Sequence, residues 1–428
     1  MERKKRRAHA LLAALLALVL SGCSASPLLG SNVEELLRAP QTGQLQSAVH
    51  KALSSFLGET PQLKYPRGGD EMDPMQIGDL DGDGQDEVAV LYTAEGKGKN
   101  VHLAVLEAGE DGAWQVADEA EGLSTEVAAL ARRSFLPQGT QLAVGYANSN
   151  LGDKYLALYQ YADGRLSVLY RQAYDQFLAE DVTADGRADL AVVGQAGQPG
   201  AMTMQLWTLQ EGVFGPVQTV TFDESLVGCA GLYLTRYGDE RGIIVDGVLS
   251  SGRYAVTVLC MQNGRLFLWP QGKGEEVLAQ TARAVQELAP RDLVGNGTVY
   301  VAQVRKTVSA QEGARRLYLV EWYNYLLPVL PFERFGVYDS ATGLFMRLPS
   351  VWRDRVDVDA SAADGSWQMR RIEDGQLLLS VRTADADEEP GIYEQIAVRE
   401  GVRVLVYFGT GCTDNEREQI RTGAQYLD

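Results

Sequence analysis

Four tight turns carry glycines 52, 48 and 52 residues apart: Glu110-Asp111-Gly112, Ala162-Asp163-Gly164, Gln210-Glu211-Gly212 and Gln262-Asn263-Gly264. Each glycine follows a polar residue and joins two strand-like runs, the pattern of a β-hairpin. A unit of about 50 residues with four short strands cannot bury both faces of its sheet alone. It has to stack on its neighbours around a common axis. The expectation is a mainly β chain, a β-propeller of about five to seven four-stranded blades over residues 65–345. Within each unit a turn feeds an apolar strand, at Asp79–Tyr92, Pro137–Tyr146, Asp181–Val193, Tyr237–Val245 and Asp292–Val301.

The first of these turns is the most informative. Asp79, Asp81 and Asp83 occupy alternate positions, Gly84 permits the sharp bend, Gln85 can offer a backbone carbonyl and Glu87 a carboxylate. Calcium needs six to eight oxygens, and a tight acidic loop supplies them at this spacing. An EF-hand loop would continue as a helix, whereas Val88-Ala89-Val90-Leu91-Tyr92 reads as a buried strand. Asp181, Thr183, Asp185, Arg187 and Asp189 repeat the spacing with fewer charges, so calcium is expected there with lower affinity. Asp292-Leu293-Val294-Gly295-Asn296-Gly297 keeps the turn but has Val294 and Tyr300 at ligand positions, and it reads as an empty structural turn. The Pro137–Thr140 and Tyr237–Gly242 connections have lost the acidic alternation.

Asp79–Tyr92 and Asp181–Val193 resemble FG-GAP or VCBS repeats, the calcium-loop blades of integrin alpha-chain propellers and of many secreted bacterial proteins. The resemblance implies calcium stiffening one face of the blades and a partner docking on the opposite face. Alternate blades lack the motif, which leaves the blade count open.

The N-terminus carries an address. Arg3-Lys4-Lys5-Arg6-Arg7 precedes an apolar stretch from Ala10 to Leu20, too short to span a bilayer. Leu20-Ser21-Gly22-Cys23 resembles the lipobox of bacterial lipoproteins, which implies lipidation of Cys23 after removal of residues 1–22. The expected location is the extracytoplasmic face of the cell membrane, with the membrane as one partner. The mature chain has 34 basic against 56 acidic residues, a net charge of −22. Such a charge excludes nucleic acid as a partner. Residues 23–64 read as tether and helical lead-in, with Leu45, Val49, Leu53 and Phe56 on one helical stripe.

The turn rhythm fails after Gly264, and the next comparable turn, Thr342-Gly343, is 79 residues on. Residues 346–428 read as a small α+β module ending in a helix over Asp414–Tyr426. Leu348-Pro349-Ser350-Val351-Trp352 resembles the start of a C-terminal module of Gram-positive lipoproteins. The alternative is that these strands complete a seven-bladed propeller.

Catalytic motifs are missing: no HExxH, GxSxG or GxxxxGK occurs, and only His50 and His102 follow the signal. Cys229, Cys260 and Cys412 form no metal-site spacing, and Cys229 with Cys260 is the one disulfide worth testing. Glu321-Trp322-Tyr323-Asn324-Tyr325, the densest aromatic patch, reads as core before ligand groove. The function expected from the sequence is non-enzymatic binding or scaffolding of an extracellular protein or glycan. The alternative is a carbohydrate-active enzyme, whose paired carboxylates are defined in space and leave no sequence motif.

Overall fold

A computed structural model describes residues 41–194, 201–309, 316–327, 329–360 and 366–427. Cys23, the signal segment and the start of the lead-in lie outside the described residues. One compact unit combines the helix α1 (Gln41–Leu57) with Leu106–Val116, and the other holds Gln62–Val105 and Ala117–Asp428. In the first unit, Val49 and Leu53 are buried one helical turn apart, while Phe56 at the end of the stripe is half exposed. Among the described residues no helix is long and apolar enough to cross a membrane.

The protein is a β-propeller built from antiparallel sheets. Blade one contains β1 (Gln62–Leu63) and β2 (Met75–Gly78) on one edge of β3 (Glu87–Thr93), then β4 (His102–Ala108) and β5 (Trp114–Glu121). Blade two is β6 (Glu126–Arg133) to β9 (Arg165–Ala173), with β7 (Gln141–Ala147) and β8 (Lys154–Ala162) between. Blade three runs through β10 (Gln176–Glu180), β11 (Asp189–Gly194), β12 (Thr203–Gln210) and β13 (Val213–Thr221). Blade four runs through β14 (Leu226–Tyr237), β15 (Glu240–Leu249), β16 (Tyr254–Gln262) and β17 (Arg265–Trp269). The first strands pack side by side, β6 on β10 and β10 on β14, as a radial arrangement requires.

The glycine-marked turns are the hairpins between third and fourth strands. Asp163, Glu211 and Asn263 have φ of 53°, 51° and 50°, each followed by a glycine with positive φ. Two left-handed residues in succession give a turn whose twist matches the strands it joins. The second strands are buried on both faces, which is why they read as unbroken apolar runs. Their alternate residues serve different neighbours. In β11, Leu190 and Val192 join Leu156 and Leu158 of blade two, while Ala191 and Val193 join Ile243 and Val245 of blade four.

The turns between first and second strands link one blade to the next. Thr140 donates its N–H to the Leu80 carbonyl (3.2 Å), and Ala188 donates to Ser134 (3.0 Å). Arg241 Nη1 donates to the Asp181 carbonyl (3.1 Å), and Arg236 N–H to Gly297 (3.0 Å). Gly139 sits so close that a Cβ there would lie 2.1 Å from the Leu80 oxygen, at a φ of +64°. A buried acceptor at or just before the start of the second strand holds three of these turns. Glu87 accepts from Leu80 N–H (2.7 Å), Gln141 from Phe135 and Leu136 (2.8 and 3.0 Å), and Asp189 from Val182 and Thr183 (2.9 and 2.8 Å).

The rhythm fails because a segment bearing α2 (Gly274–Thr281) is inserted after β17. Its Leu278 packs into the interface of blades three and four, and its Val277 into that of blade four and the next sheet. That fifth sheet holds β18 (Arg291–Asp292), β19 (Val299–Ser309), β20 (Arg316–Tyr323), β21 (Phe332–Asp339) and β22 (Leu344–Leu348). A sixth sheet holds β23 (Val356–Asp359), β24 (Trp367–Arg371), β25 (Leu377–Asp385), β26 (Glu394–Arg399) and β27 (Val402–Phe408), with β27 between β25 and β26. The two sheets share one core, in which Leu317, Leu319 and Phe335 meet Trp367, Met369 and Val406. A boundary at residue 345 therefore falls inside β22. The closing helix α3 (Asp414–Thr422) starts at a capping box formed by Thr413 and Glu416. It is shorter than the sequence suggests, because Ala424–Tyr426 becomes β28 on the open edge of β22. Those backbone groups take ladder partners on β22 in place of further helical bonds.

Replacing Gln141 by Leu removes the acceptor of the buried Phe135 N–H and of the part-buried Leu136 N–H, and an unsatisfied buried group costs about 1–3 kcal/mol. The variant is expected to unfold at clearly lower urea concentration than the wild type, without loss of β-sheet circular dichroism in buffer.

Candidate metal centre and a polar cleft

The acidic loop of blade one brings three carboxylates together. Oxygens of Asp79, Asp81 and Glu87 lie within 4.8 Å of one another. Asp79 shapes the loop, accepting Gly82 N–H on Oδ1 (2.6 Å) and Gly84 N–H on Oδ2 (3.1 Å). Asp83 lies outside the group: its oxygens accept the backbone and side-chain N–H of Gln85 (2.7 and 3.1 Å). Burial raises the Glu87 pKa, and the Asp81 and Asp83 charges push the same way against the Leu80 N–H. A divalent cation would relieve that like-charge repulsion. The carboxylates keep unused lone pairs after accepting backbone donors, so the donor set fits a hard cation.

The second loop is organised differently. Asp189, 1% exposed, takes Val182 N–H, Thr183 N–H and the Thr183 hydroxyl (3.0 Å) on one oxygen. Asp181 accepts from Asp185 and Gly186 N–H (3.1 and 3.2 Å), and Asp185 accepts from Arg187 N–H (2.8 Å). The Arg187 guanidinium reaches away to the Leu136 carbonyl (3.0 Å). The structure therefore brings Thr183 and Asp189 together and turns Asp181 and Asp185 to the backbone. In the third loop Asp292 spends its oxygens on Val294, Gly295 and Gly297 N–H groups (2.7–3.0 Å).

A second place of chemical interest includes Glu321, the first residue of the aromatic patch. A cleft of about 530 Å³ opens between the fifth and sixth sheets beside α2, lined in part by Gln280, Arg305, Glu321, Asp354 and Asp357. Glu321 is 1% exposed and accepts from Arg353 Nε and Nη2 (2.7 and 3.1 Å) and from the Tyr323 hydroxyl (2.5 Å). Burial, then the bond to Glu321, pushes the Tyr323 pKa up to about 12. Both Glu321 oxygens are thus committed. Lys306 pairs with Asp357, and Asp354 is three-quarters exposed.

The remaining singled-out residues are structural. Trp322 and Tyr325 are fully buried, as a core assignment of that patch requires. Cys229, Cys260 and Cys412 are free thiols, so the tested disulfide is absent. His102 donates from Nε2 to the Lys97 carbonyl (3.2 Å), and His50 lies 3.5 Å from the Ser54 hydroxyl.

No protein-family model matches the chain, and no curated protein matches its sequence. The FG-GAP or VCBS resemblance therefore rests on the loops alone. Among solved structures the chain is similar to a periplasmic gluconolactonase of Pseudomonas aeruginosa, at 14% identity, over 73% of this chain and 85% of that one, with a TM-score of 0.28. It is similar to a rhamnogalacturonan lyase of Bacillus licheniformis at 13% identity, over 82% and 77%, with a TM-score of 0.29. It is also similar to the propeller domain of the Trilobed protease of Pyrococcus furiosus at 11% identity, over 86% and 95%, with a TM-score of 0.28. At these values no substrate or residue role carries over. Most of these similar structures are enzymes, however, which corrects the expectation of a non-enzymatic chain. That expectation came from missing motifs, and motifs report only chemistry carried on one segment.

Asp189 gives a pH test. Burial, partly offset by the Thr183 bonds, lifts its pKa to about 6. The folded state then holds a proton that the unfolded state releases near pH 4, so stability falls as pH rises from about 4 to about 6. In chelator, thermal melts across that window are expected to show this slope and Asp189→Asn to flatten it.

Proposed function

We propose that the chain is a calcium-stiffened propeller, anchored through lipidated Cys23 on the outer face of a cell membrane, where it binds an extracellular protein or glycan. The observation that carries calcium is the meeting of Asp79, Asp81 and Glu87 on the turn that hydrogen-bonds to blade two. A cation there would neutralise like charges and fix the turn against its neighbour. The Leu20–Cys23 stretch and the acidic composition support the exterior address. Blades of FG-GAP or VCBS type combine these features.

One observation favours a second reading, action on a carbohydrate: Asp354 and Asp357 line a single cleft wide enough for a sugar. Release of reducing ends from a polysaccharide panel, abolished by Asp354→Asn, is the expected outcome; silence across pectic, plant and microbial polysaccharides would sink that reading.

A ligand that binds only the folded state raises its stability. EDTA is therefore expected to lower the melting temperature by several degrees, and added calcium to restore it. Asp81→Ala should abolish most of that response and Asp185→Ala little of it, because among the described residues only the first loop gathers three carboxylates. A melt indifferent to EDTA and calcium would count against the metal.

A further inference from the structure

We infer that the cleft between the fifth and sixth sheets binds a sugar acid, with Arg305 receiving its carboxylate. The inference deepens the reading of a saccharide ligand and does not depend on calcium. Arg305 is the extra residue of a β-bulge: Val304 pairs with Val320 and Lys306 with Leu319, leaving no partner for the residue between. Bulges re-aim a side chain, and this one lines the cleft.

The charges already in the cleft decide what Arg305 can do. Glu321 is held by Arg353 and Asp357 by Lys306. Arg305 forms a loose ion pair with Glu321 at 3.6 Å, too long for a hydrogen bond, and half of its side chain is exposed. A guanidinium carries a rigid fork of donors that a carboxylate matches with two parallel bonds. Asp354, three-quarters exposed, can accept from hydroxyl groups, and exposed Ile372 beside Val356 offers an apolar wall to the C–H face of a ring. The acids on the walls and a formal net charge of −18 disfavour a multiply charged phosphate. A singly charged, hydroxyl-rich ring suits the balance. The volume of about 530 Å³ accommodates one or two such rings.

Isothermal titration of the purified chain with galacturonate, neutral galactose and acetate tests this. Galacturonate is expected to bind about tenfold or more tighter than either other probe, equally in calcium and in EDTA. Arg305→Ala should weaken it by about tenfold or more, the scale of a lost charge-assisted bond. Arg305→Lys, which keeps the charge without the fork, should recover part of the loss. Melting curves of both variants should match the wild type. Equal binding of neutral galactose, or an Arg305→Ala variant that binds galacturonate normally, overturns the inference while leaving a saccharide ligand standing. Acetate binding as tightly as galacturonate overturns it too, and no binding by either sugar removes the saccharide reading with it.

Discussion

The hydrogen bonds passed from turn to turn are what the array depends on. A blade's sheet is satisfied along its own strands, but nothing in that ladder sets its angle to the next blade. The bonds from Thr140 to Leu80, Ala188 to Ser134, Arg241 to Asp181 and Arg236 to Gly297 supply that setting four times in succession. Three join backbone to backbone and the Arg241 bond joins a guanidinium to a backbone carbonyl, and such backbone groups need partners when shielded from water. Glu87, Gln141 and Asp189 keep the bends in shape from within, by accepting N–H groups that no strand could take. An acidic loop at this place is therefore structural before it is anything else.

Between blades the stabilisation is apolar and undirected. Alternate residues of β7, β11 and β15 are divided between two neighbours, so none of blades two to four can be removed without exposing two cores. The division changes at the fifth sheet. One face meets blade four through Val299 and Val301 and the sixth sheet through Leu317 and Leu319. The other packs Tyr300, Val320 and Trp322 on Leu288, Leu293 and Leu427, residues of connecting segments and the chain end.

The polar cleft arises where the repeat is interrupted. The α2 insertion, the bulge at Arg305 and the turn before β23 meet there because none belongs to the regular blade. A buried Glu321 in such a place would be costly unpaired, and Arg353 with Tyr323 meets the cost. Its neighbours Arg305 and Asp354 remain at the surface. Regular blades offer few such opportunities, since their side chains are consumed in packing.

The repeat length, the hairpins and the apolar second strands were legible in the sequence because each is a local property. A positive-φ pair is written here as Asp-Gly, Glu-Gly or Asn-Gly, and a doubly buried strand as an unbroken apolar run. The meeting of Asp79, Asp81 and Glu87 was legible for the same reason, being held within nine residues. Asp83 was not, since its bond to Gln85 competes with any role beyond the loop. Gln141 escaped notice because an amide in a strand looks neutral until the turn it caps is seen. The strand at Ala424–Tyr426 and the cleft were decided by tertiary structure alone. One needs the open edge of β22, and the other gathers Gln280, Arg305, Glu321 and Asp354 from segments that only folding brings into contact.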